Sequence, residues 1–481
     1  MASGHLEATG ELWLGAGCSA RLLARLEAAL ARADRIGEPT LAAVTARPRL
    51  AVDPAAIVMS ARGDHSEWGV FEQPERDGLV LATLGSARTI EAEGSERFTA
   101  VSEAWERISA GAVADDPDGP PGAGPIAFGG FSFEDRSRRT GPWRGFAAAS
   151  MVVPTLAFVR QGPELWVTVQ AMVEPGSDAD GLHSQLLSML AGLDPNARLP
   201  MDGIDPVDLC SVESALAPEH YVSAVHRAIT AIEEGRIDKA VLAREVLAER
   251  SGPHDPAYVL GVLRDVFPSC FLFAVGRGDA TFIGASPELL IRREGLHAST
   301  VALAGSAPRS ADPAVDDHIG ERLLRSRKDR AEQAIVTQRI SRNLEPHSVW
   351  VSAADEPQLA RIANVQHLAT PIRARLREPV AAVELVGHLH PTPAVGGEPW
   401  PAAHEVIAEV EGLDRGWYAA PIGWCDGAGN GEFAVALRCA LLRGGQARCY
   451  AGVGVVEGSD PAAELAETEL KLQAILPIVS A

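Results

Sequence analysis

The sequence predicts an α+β protein whose strands pair mostly antiparallel. Three observations lead there. In the first 205 residues, short strand-like runs follow one another with a helical pattern at each end, instead of alternating regularly with helices. Near the other end, two strand-like runs are joined by Arg443-Gly444-Gly445-Gln446, a hairpin connection. The chain has 481 residues, 46% of them hydrophobic and 22% charged, enough to bury a large core and too apolar for disorder.

The elements follow in order. Residues 20–33 carry Leu22, Leu23, Leu26 and Leu30 at helical spacing. Strand-like runs come next at 50–59, 79–84, 125–133, 150–159 and 165–173, and a helix at 180–193 closes the region. Residues 111–125 (GAVADDPDGPPGAGP) read as a surface loop. A second break, 192–208, contains Pro195, Pro200 and Pro206, and sets a boundary between a region 1–205 and a region 206–481. Beyond it, Val222, Val225, Ile229 and Ile232 lie on one face of a helix over 220–234, which Gly235 can end. On a strand through DKAVLAREVLAE, Lys239, Val241, Ala243 and Glu245 share a face. Residues 320–344 read as one long helix, and 433–442 and 447–456 as the strands of the hairpin. Asp460 and Pro461 suit the cap and first position of a last helix.

Charge excludes several function classes. With 43 basic against 64 acidic side chains, the chain carries −21, so neither nucleic acid nor an anionic membrane surface suits it as a partner. No apolar run reaches the length of a membrane span, and MASGHLEATGELWLG lacks the pattern of a secretory signal. Six cysteines without a CxxC pair read as reduced thiols, so a cytoplasmic location is expected.

Only three of the 43 basic residues are lysines: Lys239, Lys328 and Lys471. Arginine serves elsewhere, which makes these three candidates for work that arginine cannot do, such as giving up a proton. The plain alternative is chance survival of three surface lysines.

On the last helix Glu464, Glu467 and Lys471 project from one side. Two readings stand: a solvent face with a Glu467–Lys471 pair, or carboxylates offered to a hard divalent cation beside an anion-binding lysine. Glu332, four residues after Lys328, is either that lysine's surface partner or a further oxygen ligand. Glu288, in FIGASPELLI, is either a solvated strand-edge residue or a desolvated general acid. His388 and His390 have metal-like spacing without matching partners, and GAGNG at 427–431 lacks the helix and Lys-Ser/Thr of a phosphate loop, so both read as loop features.

Eight segments in order resemble the chorismate-utilising enzymes: DKAVLAREV, IGASPELLIRREG, LAGSAPRS, RKDRAEQ, VQHLATPI, HPTPAVGGEP, APIGWCDGAGNGEFAVALRCALL and YAGVGVVEGSDPAAELAETELKL. The likeness is strongest over residues 215–476 and closest to the family's isochorismate-forming members. It implies a large sandwich of two mostly antiparallel sheets with outer helices, built from both halves of the chain. It also implies roles. Lys239 would be the general base on water and Glu288 the general acid. Glu332 and Glu467, with Glu464 near, would hold magnesium. Arg438 and Lys471 would bind substrate carboxylates, with His367, Gly305, Ser306, Ala394, Val395, Tyr418 and Gly452 around the substrate.

The implied reaction turns chorismate into isochorismate, feeding menaquinone or a catechol siderophore. A salicylate synthase is the alternative that shares Lys239. Anthranilate- and aminodeoxychorismate-type synthases lack that lysine, so no glutaminase subunit is expected. A non-catalytic chorismate binder is the remaining alternative, and a monomer or weak dimer the expected state.

Overall fold

Thirteen strands form one sheet and ten another in the computed structural model, which describes residues 11–15, 17–116, 118–137, 140–201 and 210–480. The first sheet runs Ser211–Ser214, Lys239–Glu249, Gln446–Val455, Cys439–Arg443, Ala280–Ser286, Phe271–Arg277, Glu67–Gln73, Leu79–Leu84, Leu156–Gln161, Glu164–Val173, Thr40–Ala46 and Val113–Ala114, with Gly397–Glu398 also pairing on Lys239–Glu249. The second runs Ser348–Ala353, Val365–Leu376, His297–Pro308, Leu289–Glu294, Gly431–Val435, Pro421–Asp426, Ile126–Phe131, Ala149–Val153 and Arg88–Ala92, with Gln358–Arg361 on Val365–Leu376. Pairing is antiparallel except between Thr40–Ala46 and Val113–Ala114. Both sheets take strands from each side of residue 206.

The sheets face one another across a core that includes Phe71, Phe128, Phe131, Phe273, Phe282 and Phe433. The alternation of strands sorts the side chains. Phe71 and Phe273 point into this core, while their neighbours Val70 and Leu272 join a second core against outer helices such as Cys18–Ile36 and Pro256–Val266. Helices Arg327–Leu344 and Ala382–Leu389 cover the other sheet. The result is the expected α+β sandwich.

Four expected elements differ. The run 50–59 contains no strand; Pro54–Ala61 is a helix, because Asp53 accepts hydrogen bonds from the amides of Ala55 and Ala56 and Pro54 takes the first turn. The long helix over 320–344 is two, Pro313–Arg325 and Arg327–Leu344, divided at Ser326, whose extended backbone ends one and whose side chain caps the next. The runs 150–159 and 433–442 are each two strands, and in both the chain leaves one sheet for the other, at Pro154-Thr155 and at 436–438. The 111–125 segment includes the short strand Val113–Ala114, and Gly122 lies close against the Trp424 ring. The boundary region 192–208 falls partly outside the described residues. The hairpin and the Asp460 cap stand as expected: Arg443 pairs with Gln446, and Asp460 accepts from Ala463.

Candidate active site

Two chain crossings between the sheets make the floor of a pocket. The chain passes from Ala280–Ser286 to Leu289–Glu294 through Pro287 and Glu288, and from Gly431–Val435 to Cys439–Arg443 through Ala436, Leu437 and Arg438. The crossings bind each other: the Val435 amide donates to the Glu288 carbonyl at 3.0 Å, and the Ala285 amide to the Arg438 carbonyl at 3.2 Å. Arg438 makes its turn with φ 50°, an unusual conformation for a side chain of its size. The crossings thus aim one carboxyl and one guanidinium into the same space.

Two helices close that space. The first turns of Arg327–Leu344 bring Lys328, Asp329 and Glu332, and Pro461–Leu472 brings Glu464, Glu467 and Lys471. Gly305, Ser306, His367, Ala394, Val395, Tyr418 and Gly452 complete the lining. Lys239 stands one layer behind it, fully buried, its side chain reaching Glu332 and packing beside Gly454, both of which line the pocket. Every residue the sequence reading singled out for the site is therefore in or directly behind one pocket.

The three lysines of the chain pair with three of the four carboxylates that the two helices bring to the pocket. Lys239 Nζ lies 2.8 Å from Glu332 Oε1, Lys328 Nζ 2.8 Å from Glu464 Oε1, and Lys471 Nζ 2.9 Å from Glu467 Oε1. Lys471 also donates to the Gly452 carbonyl at 3.0 Å. Glu332 thus pairs across the site with Lys239, not with its helix neighbour Lys328. The fourth carboxylate, Asp329, is pushed up by burial and by the nearby charges of Glu332 and Glu467. Burial also pulls Glu467 upward, but Lys471, the Ser306 hydroxyl and Lys328 outweigh it and hold the carboxyl below its ordinary range.

Glu288 is different in kind. It is 4% exposed, and burial pushes its carboxyl up to about 8 even though Lys239 and Lys471 draw it down. At neutral pH it holds a proton in a pocket where the other glutamates are ion-paired.

Arg438 and His367 define each other. Arg438 Nη2 donates to His367 Nε2 at 2.9 Å. A guanidinium only donates, so Nε2 is the bare nitrogen and Nδ1 carries the hydrogen. Nδ1 is 3.1 Å from the Gly305 carbonyl, which accepts it, and 3.1 Å from the Ser306 hydroxyl. Burial, Arg438 and Lys471 hold His367 well below its ordinary value, so it is neutral. Arg438 is 6% exposed and makes no ion pair among the described residues. A buried cation with neutral partners is a charge waiting for an anion.

Two glycines keep this geometry open. Gly305 has φ 68° at a bulge between Ala304 and Ser306, and a Cβ there would come within 2.9 Å of Asp329 Cβ. At Gly454 a Cβ would collide with the Glu332 carboxylate and stand 2.8 Å from Lys239 Cε. The sequence reading missed Gly454 and Asp329, and marked Lys328 as a rare lysine without giving it a place in the site. The scarcity of lysine was the signal for Lys328, while alternation along YAGVGVV marks Gly454 as a neighbour of Gly452 on the same face.

The donor set is all oxygen, which suits a hard divalent cation that keeps most of its coordination for water and substrate. Among the described residues no group of three or more His, Cys, Asp or Glu is gathered tightly enough to share an ion. Glu332, Glu464 and Glu467 are each paired with a lysine. Glu332 and Glu467 still fit the one or two protein carboxylates that magnesium takes.

No helix among the described residues is long and apolar enough to cross a membrane. The chain is 39% identical over 464 residues to the salicylate biosynthesis isochorismate synthase of Pseudomonas aeruginosa, covering 96% of this chain and 95% of that one. It is 36% identical over 416 residues to the isochorismate synthase MenF of Bacillus subtilis, covering 85% and 87%. Its fold matches the structure of MenF, the menaquinone-specific isochorismate synthase of Escherichia coli, with a TM-score of 0.77 at 24% identity, over 95% of this chain and all of that one. These likenesses meet the pocket's chemistry and the sandwich around it, and over residues 28–480 the chain belongs to the chorismate binding enzyme family.

Proposed function

We propose that this protein is an isochorismate synthase, an isomerase that adds water at C2 of chorismate while the C4 hydroxyl departs and the ring double bonds shift. One water enters and one leaves, so the reaction balances as an isomerisation. The observation that carries the reading is the Glu288 carboxyl, buried in one pocket and pushed up by that burial, with the Lys239 side chain directly behind the lining. Hydroxide leaves poorly, and Glu288 supplies the proton that lets the C4 oxygen depart as water. Water attacks poorly, and Lys239, in its neutral form, takes the proton released as the new C2 bond forms. Arg438 and Lys471 receive the substrate's carboxylates, with Arg438 held in place by neutral His367.

We assign a divalent cation, magnesium, to Glu332 and Glu467, with Glu464 beside them. When bound, it draws charge from the ring carboxylate and fixes its position. The relatives named above include a salicylate biosynthesis enzyme and a menaquinone-specific one. The chemistry proposed here, conversion to isochorismate, serves either route. Incubation of the pure protein with chorismate and magnesium, with products separated by chromatography, tests the reading. Isochorismate without pyruvate is expected. Salicylate with pyruvate would replace it by the salicylate synthase reading, and unchanged chorismate would overturn it.

A further inference from the structure

We propose that a cavity at the outer edge of strand Lys239–Glu249 is a second ligand site, built for a one-ring phenol, and that its occupant adjusts the catalytic pocket. The strand pairs at 239–240 with Gly397–Glu398 and at 246–249 with Ser211–Ser214; between these stretches no described strand runs along that edge. The cavity lies at this gap, beneath the first turns of helix Pro218–Glu233, and holds about 170 Å³. A dry apolar cavity of about 150 Å³ accepts benzene, so this one fits a single ring with a small substituent.

The walls suit such a ring. Tyr221, Ala224, Leu242, Leu216 and Leu413 provide the apolar surface, and the Tyr221 hydroxyl reaches the Leu242 carbonyl at 3.3 Å. The Glu411 carboxylate, with His220, Arg244 and Glu245, completes the lining and offers polar contacts to a ring hydroxyl.

The same Glu411 links the cavity to catalysis. It accepts from the Ala243 amide at 2.8 Å and from Arg415 Nε at 2.7 Å. Arg415 in turn donates to the carbonyls of Val395 at 2.8 Å and Val241 at 2.7 Å. Both valines line the catalytic pocket, and Val241 is two residues from Lys239. A ring that presses on Glu411 therefore acts on the strand of Lys239 and on the Ala394–Val395 loop through a buried ion pair, 2–3% exposed. No other part of the mechanism uses this pair.

Fluorine NMR titration of 4-fluorophenol on the whole protein tests the site. Saturable binding is expected in the wild type, weakened at least about tenfold by Ala224→Leu, which fills the cavity. Ala217→Leu narrows its exposed mouth without entering the core, and is expected to weaken binding in the same direction. Circular dichroism and turnover without phenol should match the wild type in both variants. The regulatory part rests on the proposed function: saturating 4-fluorophenol is expected to shift KM for chorismate by about fivefold in the wild type and not in Ala224→Leu. Non-saturable binding, or equal binding by both filled variants, would overturn the site. An unchanged KM at saturation would overturn the coupling. The titration contains no chorismate, so failure of the isochorismate synthase reading leaves the binding result intact.

Discussion

Glu432 and Glu467 are both buried carboxylates with cationic partners, yet they sit in different kinds of environment. Glu432, in the middle of a sheet, is clasped by Arg76 and Arg292, each at 2.8 Å. Glu467, on the last helix, faces the pocket with the single ammonium of Lys471 at 2.9 Å. The pattern repeats across the molecule. Arginine forks tie Glu411 to two backbone carbonyls, and tie Asp53 and Glu72 together through Arg264. Lysine pairs occur only around the pocket among the described residues. A guanidinium is always charged and fills several acceptors at once, so it builds structure. An ammonium is a point charge that can release its proton or let its partner go, so it suits a site where charges must be exchanged.

The comparison breaks most visibly at Glu288, a buried acid with no cation within ion-pair distance among the described residues. Glu288→Gln keeps the shape and removes the proton, and turnover should fall by roughly 10²–10⁴-fold. Substrate binding and the circular dichroism spectrum should remain near wild type; a near-normal kcat would make Glu288 structural. Chelation comes next. Exhaustive EDTA treatment should remove most of the activity, restored by excess magnesium and not by sodium; undiminished turnover would leave Glu332 and Glu467 to their lysines alone. The pH profile sharpens the contrast further. Glu288 is competent while protonated, so kcat/KM should fall as pH rises past about 8, approaching tenfold per unit once it ionises. A flat alkaline limb would contradict the acid role. The smallest effect on catalysis is expected for an arginine tie. Arg264→Ala leaves buried Glu72 without its partner and should cost about 3 kcal/mol in urea unfolding, with kcat unchanged. A large loss of kcat would erase the division between structural arginines and functional lysines.

Local chemistry was legible in the sequence where it is decided locally. The cap at Asp460, the stop at Gly235 with φ 70°, and the 443–446 hairpin all depend on residues a few positions apart. Asp53-Pro54 was overlooked because the apolar run behind it, buried on all sides, has no helical stripe to show. The sheet crossings were not legible. A strand that continues and one that changes sheet carry the same alternation, and only partners far along the chain decide between them. That is why 150–159 and 433–442 read as single strands, and why the crossing that positions Arg438 was hidden. The family likeness named the site residues, and lysine scarcity pointed to the same place. Neither showed that Glu332 takes Lys239, from another element, in place of Lys328 four residues away. Helix spacing proposes the near partner, while the tertiary packing of two helices against one strand supplies the far one.

The division of labour between the two cations is tested most directly at Lys239. Arginine keeps the charge, and the chain uses it at 40 other positions. The measurement is kcat/KM with chorismate across pH for wild type, Lys239→Arg and Lys239→Ala, with circular dichroism on each. If Lys239 is the base, both variants lose roughly 10²–10⁴-fold at every pH. Lys239→Arg activity close to wild type, with Lys239→Ala inactive, would contradict the account and leave Lys239 as a charge that holds Glu332.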